Sequence, residues 1–419
     1  MSLFAEVMTA ILSRRAQPQP EITIADQPID ELCRAMVAPA GEASLAAIGY
    51  QILRKYEALD TAEKKDFFGF LAKEMTFDPD LVLTSLDALR EAETGENYRA
   101  FMEAAEPPRQ ELIRRLNQIP DATGRLVRMR QDLLGINRDD RKLQALDLDF
   151  RHLFASWFNR GFLVLRRISW ESPAHILEKI ITYEAVHAID SWDELRRRLE
   201  PEDRRCFAFF HPAMPDEPLI FVEVALTRGI PASIQLLLDQ DREHISPNDA
   251  NTAVFYSISN CQTGLAGISF GNSLIKQVAA DLSIELPNLG TFVTLSPIPG
   301  FARWLVSEGL KADTDEPGAI ERMAARYLLT AKRGDGQPLD PVARFHLGNG
   351  AELHAIHARA DLSERGQAQS HGAMVNYLYD LQKAVKRQED YVVSHKITAT
   401  ADICGLPGVA DETRQGRNK

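Results

Sequence analysis

The chain has 419 residues, and its 60 acidic residues outnumber 48 lysines and arginines to give a net charge of −12. Hydrophobic residues make up 45% and charged residues 26% of the sequence, which excludes collagen-like, coiled-coil and wholly disordered chains. The acidic surplus argues against a nucleic-acid partner, because phosphate neutralisation needs surplus Lys and Arg. No apolar run reaches the roughly 18 residues of a membrane span, so we predict no membrane partner either.

The cysteines and the first residues of the chain favour a cytoplasmic protein. No two of the four cysteines are close enough for a CxxC pair, which fits a reducing compartment. The N-terminus is apolar and then basic, the reverse of a signal peptide, and we predict that residues 5–15 form the first helix. A mitochondrial leader is the alternative reading of this segment.

Residues 1–150 have the pattern of a helical bundle. Apolar side chains recur at helical spacing in 45–59, Thr61 is placed to cap the next helix, and Asp78–Pro79 and Pro107–Pro108 are helix-start signals. Short breaks between such segments predict an up-and-down bundle. This part contains no catalytic constellation, so we predict that it is a scaffold or oligomerisation domain.

From residue 151 the pattern changes to alternating strands and helices. We predict strands at 206–211, 219–226, 232–238, 252–259 and 291–296, and helices at 272–286 and 320–332. This order predicts a mixed α/β domain over residues 151–404, followed by a flexible polar tail at 405–419.

A glycine-rich sequence, QTGLAGISFGN, separates the strand at 252–259 from the helix at 272–286. Gly264, Gly267 and Gly271 allow the backbone to approach a ligand closely, and the following helix presents free N–H groups and the positive end of its dipole. These features are typical of a phosphate cradle, although the spacing is neither GxGxxG nor GxxxxGK[ST]. Tight packing of the turn is the alternative explanation of the glycines.

Two further segments carry candidate catalytic side chains. In SPIPGF, Ser296 ends a strand before Pro297, so its hydroxyl is expected at a sheet edge. In RFHLGNGAELHAIH, we predict that His346 begins a strand and that Asn349–Gly350 forms a hairpin turn into a second strand.

Other histidines and tyrosines carry weaker signals. His354 and His357 are three residues apart and would point to opposite faces of a strand, which argues against a metal site. We predict a helix at 371–388 with Asn376, Tyr377 and Tyr379 near its start. A tyrosine there is usually a packing residue, and binding of a substrate carboxylate is a secondary possibility.

The motifs FYSIS, QTGLAGISFGNSLIK, LSPIPGF, FHLGNGA and NYLY together resemble the malonyl-CoA decarboxylase family, from about Leu165 to Asp380. The resemblance implies a helical N-terminal domain that mediates self-association, as a homodimer or homotetramer. It implies a catalytic domain of the GNAT-like (acyl-CoA N-acetyltransferase-like) mixed α/β fold. The implied reaction converts malonyl-CoA to acetyl-CoA and carbon dioxide with no metal or organic cofactor.

By position in the motifs, the resemblance places the family's catalytic residues at Ser296, His346 and Tyr379. It assigns binding of malonyl-CoA or CoA to Ser296, His346 and the loop formed by Ala266, Gly267, Ile268, Ser269, Phe270, Gly271 and Asn272. Animal members of the family carry a glutamate where this chain has Ser269.

Decarboxylation of a malonyl thioester leaves an enolate, which needs donors near the thioester oxygen and a proton at its carbon. We hypothesise that Ser296 and His346 form a hydrogen-bonded pair that fixes the carboxylate and delivers the proton, and which residue gives the proton is left open. Backbone N–H groups near the glycine-rich loop are candidate oxyanion donors. A covalent acyl-serine is less economical, because no third orienting carboxylate is evident.

Two other functions fit the same sequence. One is a GNAT-type acyltransferase that moves an acyl group from CoA to an amine. The other is a non-catalytic protein that binds CoA as a sensor or scaffold.

Overall fold

The computed structural model describes residues 26–39, 41–136, 140–268, 274–311 and 316–406. The chain divides into two compact units. The first consists of Met1–Val164, His211–Pro215 and Gln262–Ser269, and the second of Leu165–Phe210, Asp216–Cys261 and Phe270–Lys419. The helix predicted at 5–15 and the tail after Leu406 lie outside the described residues.

The first unit is helical. Its helices are α1 (Ile29–Val37), α2 (Glu42–Ala58), α3 (Thr61–Lys73), α4 (Pro79–Glu91), α5 (Gly95–Ala105), α6 (Pro108–Leu116), α7 (Ala122–Gly135) and α8 (Arg141–Trp157). Pro79 and Pro108 occupy first helical positions, as the start signals predict. The cap of α3 is Asp60 rather than Thr61, because the Asp60 carboxylate accepts the N–H of Glu63.

The helical unit extends beyond the boundary predicted at residue 150. That boundary falls inside α8, and the unit runs to Val164. The reason is that the apolar face of α8 continues through Phe150, Leu153 and Phe154, all of which are buried.

The second unit is built on a mixed β-sheet. Its strands are β1 (Val164–Ile168), β2 (Arg204–His211), β3 (Met214–Thr227), β4 (Thr252–Asn260), β5 (Thr291–Thr294), β6 (Ser296–Pro297), β7 (Glu352–His357) and β8 (Met374–Leu378). Its helices are α9 (Ala174–Tyr183), α10 (Trp192–Leu199), α11 (Ile234–Leu238), α12 (Leu274–Glu285), α13 (Phe301–Ser307), α14 (Pro317–Thr330), α15 (Pro341–Gly348), α16 (Glu364–Ser370), α17 (Ala384–Ser394) and α18 (Ala401–Cys404). The predicted fold class, a helical bundle followed by a mixed α/β domain, is confirmed.

The sheet opens next to β4. The strand order is β1-β2-β3-β4-β5-β8-β6, with β7 also paired to β8. The parallel pairing of β4 with β5 covers only Thr252–Phe255 against Thr291–Thr294. Beyond it β4 continues to Asn260, whereas β6 pairs with β8 instead. Strand β4 and the segment that runs from β5 into β6 therefore separate after Phe255, and the candidate site lies in the gap between them.

The strand predicted at His346 is wrong, because residues 341–348 form helix α15. Asp340 caps this helix by accepting the N–H groups of Val342 and Ala343, each at 2.9 Å, and Pro341 occupies its first position. Asn349–Gly350 ends the helix instead of turning a hairpin, since Gly350 adopts a φ of 84°. The strand predicted after it is confirmed as β7.

Two other segments differ from their predicted structure. Residues 374–378 form strand β8 rather than a helix, because they pair with β7, β5 and β6 and alternate between two faces. Residues 234–238 form the short helix α11 rather than a strand, and the side chain of Ser233 caps it. No helix in the described part of the chain is both long and apolar enough to cross a bilayer.

Candidate active site

A cavity of about 260 Å³ lies where β4 and β6 part. Its walls come from the second half of β4, from β6 and from the first turns of α15. The lining residues are Val186, Phe255, Tyr256, Ile258, Asn260, Ser296, Pro297, Pro341, Val342, Phe345 and His346. Most are apolar and few are polar, which is typical of a small-molecule site.

Ser296 and His346 meet in this cavity. The Ser296 Oγ lies 3.1 Å from the His346 Nε2, although 50 residues separate them in the chain. Both side chains are almost fully buried. Ser296 is held by pairing of β6 with β8, opposite Val375, so it lies on an edge strand as the proline-rich motif predicts.

The other nitrogen of His346 contacts Tyr379. Its Nδ1 lies 2.8 Å from the Tyr379 hydroxyl, and its ring stacks on Tyr377 at 4.4 Å between centroids. Residues two apart on a strand share a face. Both tyrosines therefore face His346 because 374–378 is a strand that leads directly into Tyr379, and a helix would have turned them apart.

Burial determines the charge of these groups. It lowers the pKa of His346 to about 3 and raises the pKa of Tyr379 well above its ordinary value. At neutral pH the imidazole is therefore neutral and the phenol keeps its proton. Within the described residues, the hydrogen-bond partners of His346 are two hydroxyls and not a carboxylate, which differs from a Ser-His-Asp triad.

Thr294 is a site residue that the sequence did not single out. Ser296 Oγ donates to Thr294 Oγ1 at 2.8 Å, and the N–H of Tyr377 donates to the same oxygen at 3.1 Å. Asn376 Nδ2 donates to the carbonyl of Thr294 at 2.8 Å and ties β8 to the end of β5. The only sequence signal for Thr294 is its position two residues before Ser296.

The glycine-rich loop is described only in part. Ala266, Gly267 and Ile268 belong to the helical unit, whereas Ser269, Phe270, Gly271 and Asn272 lie outside the described residues. A Cβ on Gly264 would come within 1.9 Å of the Val127 carbonyl oxygen. Close packing against α7, the alternative explanation of the glycines, therefore accounts for Gly264.

Arg130 fixes this loop within the helical unit. Its Nη1 donates to the carbonyls of Gly264 at 2.7 Å and Ala266 at 2.9 Å, and its Nε donates to Asp147 at 2.8 Å. The side chain is 1% exposed. A buried arginine with three partners holds the turn rigidly, and the pattern of α7 contains no signal for it.

The helical unit contains a cavity beside the same loop. Its volume is about 580 Å³, and Ala266 and Gly267 form part of its wall. Leucines of α7 and α8 line most of the remainder, together with Arg130, Asp147 and Arg151. The Arg151 Nε is 3.5 Å from where a Cβ of Gly267 would lie, so the positively charged guanidinium lies next to the loop.

His354 and His357 are not brought together with His346 as metal ligands. Within residues 26–39, 41–136, 140–268, 274–311 and 316–406, no group of three or more His, Cys, Asp or Glu side chains has the arrangement of a metal site. His357 Nε2 instead hydrogen-bonds the carboxamide oxygen of Asn376.

Comparison with known proteins places the chain in a family. A profile of the malonyl-CoA decarboxylase C-terminal domain matches residues 161–317 and 311–415, and a profile of the N-terminal domain matches 77–158. The mitochondrial malonyl-CoA decarboxylase of Anser anser anser is 34% identical over 415 residues, covering 84% of this chain and 82% of the relative. That of Mus musculus is 33% identical over 346 residues, covering 70% of each chain.

Solved structures agree. Malonyl-CoA decarboxylase from Rhodopseudomonas palustris is 49% identical with a TM-score of 0.85, covering 90% of this chain and 98% of that one. The protein of the same name from Agrobacterium vitis is 48% identical with a TM-score of 0.85, covering 91% and 99%. The chain therefore belongs to the malonyl-CoA decarboxylase family, a family of carboxy-lyases.

Proposed function

We propose that this chain converts malonyl-CoA to acetyl-CoA and carbon dioxide in the cavity that holds Ser296 and His346. The observation that carries the proposal is the 3.1 Å approach of the Ser296 Oγ to the His346 Nε2 inside a mostly apolar cleft. Membership of the family supports the choice of substrate.

The apolar wall supports the bond-breaking step. A compact carboxylate loses hydration on entering such a cavity, whereas bond breaking spreads its charge over the larger thioester enolate and releases uncharged carbon dioxide, so burial favours bond breaking. As the C–C bond breaks, its electron pair becomes the enolate of the acetyl thioester. The enolate carbon then needs one proton, which the reaction consumes overall.

The hydrogen bonds support a path for that proton. Because the Ser296 hydroxyl donates to Thr294, its oxygen is free to accept from His346 Nε2–H, and His346 Nδ1 accepts from the Tyr379 hydroxyl. The Ser296 hydroxyl turns from Thr294 and gives its proton to the enolate carbon, the Nε2 proton replaces it, and the Tyr379 proton moves to Nδ1. Solvent then reprotonates Tyr379, and tautomer exchange of the neutral imidazole restores Nε2–H before the next turnover. The neutral histidine acts as a relay without becoming an imidazolium ion.

The cavity of the helical unit supports a role in holding CoA. We propose that the Ala266–Ile268 turn and the Arg151 guanidinium bind a phosphate of the CoA nucleotide. Because the net charge of this chain is negative, its overall field does not attract a phosphate. Local backbone N–H groups and an arginine must therefore hold it.

The proposed mechanism uses no group other than those of the protein. One assay tests both this point and the alternative reaction, acyl transfer to an amine. Purified protein is incubated with malonyl-CoA and no amine acceptor, with and without a metal chelator, and acetyl-CoA is quantified by chromatography. Decarboxylation predicts acetyl-CoA formation at the same rate in both samples. Absence of acetyl-CoA until an amine is added would favour the acyltransferase.

An apolar surface on the helical unit supports self-association. Leu81, Leu83, Tyr98 and Met102, on α4 and α5, are each at least half exposed. Exposed apolar patches of this kind mark interfaces, and we propose that a second copy of the chain covers this one. Light scattering should show a smaller assembly for Leu83→Asp than for Leu236→Asp, a control that changes an exposed leucine of the other unit. Equal masses would refute the assignment.

A further inference from the structure

A second cavity of the α/β unit, of about 240 Å³, is lined by four arginines. Its charged lining residues are Arg197, Arg198, Arg204 and Arg242 with Glu194 and Asp239, and His244 also borders it. We propose that this cavity binds the phosphoryl group of a small metabolite, and that Arg198 transmits its occupancy to the Ser296–His346 cavity.

Two of the four arginines are already neutralised. Arg242 forms a bidentate pair with Asp203, at 2.6 Å and 2.8 Å. Arg198 donates to Glu194 at 2.5 Å and to the fully buried Glu223 at 3.2 Å. Asp203 and Glu194 are the counter-ions of these two arginines, because burial raises the pKa of Glu223 to about 8 and leaves it largely protonated near pH 7.

The other two arginines have no strong counter-ion. Arg204 is 3% exposed, donates to the carbonyl of Leu237 at 2.6 Å, and lies 3.9 Å from an Asp203 carboxylate that Arg242 already occupies. Arg197 is exposed, and its side chain makes no hydrogen bond or ion pair with any described residue. A buried charge without a close partner is unfavourable, and burial lowers the pKa of Arg204 accordingly. Asp239, which also lines the cavity, offsets one of these two charges, and a bound phosphoryl group with one negative charge would balance the other.

The arrangement favours a phosphoryl group over a carboxylate. Arg197 projects from α10, Arg204 from the start of β2, and Arg242 from the segment after α11, so donors come from three elements around the cavity. A tetrahedral anion with three terminal oxygens satisfies donors from several directions, whereas a planar carboxylate offers two oxygens. The volume is below that of ordinary drug-sized ligand pockets, which suits a small metabolite.

Arg198 connects this cavity to the candidate active site. Its Nη1 donates to the carbonyl of His187 at 2.8 Å, and its Nη2 donates to that of Ala188 at 3.1 Å. The same segment contains Val186, which lines the Ser296–His346 cavity. An anion that draws Arg198 toward itself therefore displaces the wall at Val186.

Residues 184–185, at the start of this segment, are hydrogen-bonded to β4, which limits the movement of that end. The Ser257 Oγ lies 2.8 Å and 2.7 Å from the two carboxylate oxygens of Glu184, to which its single proton donates, and the N–H of Ala185 donates to Ser259 Oγ at 3.1 Å. With this end anchored, a pull on Arg198 is concentrated on residues 186–188. The coupling to activity rests on the proposed function, whereas binding of the anion does not.

Calorimetric titration with inorganic phosphate, against chloride at matched ionic strength, tests binding. We expect saturable binding by the wild type and by Arg196→Gln, a control on the same helix whose side chain pairs with Glu200 instead. Binding should weaken about threefold to fivefold in Arg197→Gln, and about tenfold or more in Arg204→Gln. If Arg204→Gln does not fold, Arg197→Gln still decides. No saturable binding, equal dissociation constants in Arg196→Gln and Arg197→Gln, or tighter binding of succinate than of phosphate overturns the site.

Steady-state kinetics with malonyl-CoA test the coupling. Saturating phosphate should change kcat/KM about fivefold in the wild type and in Arg196→Gln. In Arg197→Gln the half-effective phosphate concentration should rise by the same factor as the dissociation constant. Unchanged kinetics in an active protein with phosphate bound would overturn the coupling. A protein that binds phosphate but forms no acetyl-CoA would instead refute the proposed function.

Discussion

His346 stacks nearly face to face on Tyr377, with ring centroids 4.4 Å apart and planes 24° from parallel. The stack fixes the plane of the imidazole, and its two nitrogens are then aimed at two different hydroxyls. Tyr377 contributes this ring surface while its own hydroxyl is buried without a hydrogen-bond partner among the described residues. The two neighbouring tyrosines therefore have separable roles.

Replacing each tyrosine by phenylalanine tests this separation. Tyr379→Phe removes the hydroxyl at His346 Nδ1, and kcat should fall about tenfold or more because the relay loses its proton source. Tyr377→Phe keeps the stacked ring and should retain near wild-type kcat, since its hydroxyl bonds nothing described. Steady-state rates of the two variants, with folding checked by circular dichroism, measure the difference. Equal losses in both would contradict the roles assigned here.

The low pKa of His346 predicts how its protonation state and the stability of the protein depend on pH. Its pKa in the folded chain is about 3, below the ordinary value of 6.5. The unfolded chain takes up this proton as the pH falls from 6.5 toward 3 and the folded chain does not, so this residue makes the protein less stable across that window. NMR of labelled histidine should show a neutral His346 ring, protonated at Nε2, from pH 7 down to pH 5. A ring that titrates near pH 6.5 would refute this assignment.

The end of α15 should be intolerant of a side chain. A Cβ on Gly350 would come within 1.9 Å of the Ala384 carbonyl oxygen, and the backbone there has a φ of 84°. Gly350→Ala should therefore lower the free energy of unfolding by about 2 kcal/mol or more. Gly334→Ala is the matched control, because no atom lies within 4 Å of its added Cβ. Urea denaturation measures both, and similar midpoints for the two variants would show that this close approach is not a constraint.

Sequence analysis predicted correctly that Ser296 and His346 lie close together, but it assigned the wrong secondary structure to His346. Ser296 is located by Pro297 and Pro299, which follow it and limit the length of strand β6. His346 was assigned to a strand because the apolar pattern was read from Arg344 onward, and the helix-start signal at Asp340–Pro341 lies just before it. Its closeness to Ser296 followed from the resemblance and not from local pattern.

The error at β8 has a different cause. Only the last five residues of the helix predicted over 371–388 belong to α17, and the helical pattern was extended backward over the β-prone run at 374–378. Pairing with distant strands determined that residues 374–378 form a strand.

The helical unit gives a second example of a contact that no local signal predicts. The hydrogen bond from Arg130 to Gly264 spans 134 residues.

A double-mutant cycle on Ser296 and His346 tests the central claim most directly. The kcat/KM of Ser296→Ala and of His346→Ala should each fall about a hundredfold or more. The double variant should be no slower than the slower single variant, because residues that act as one unit lose their effect together. His354→Ala, outside the cavity, serves as the control and should stay active. Multiplicative losses in the double variant, or near-normal activity of either folded single variant, would contradict the claim that these two residues work as one relay.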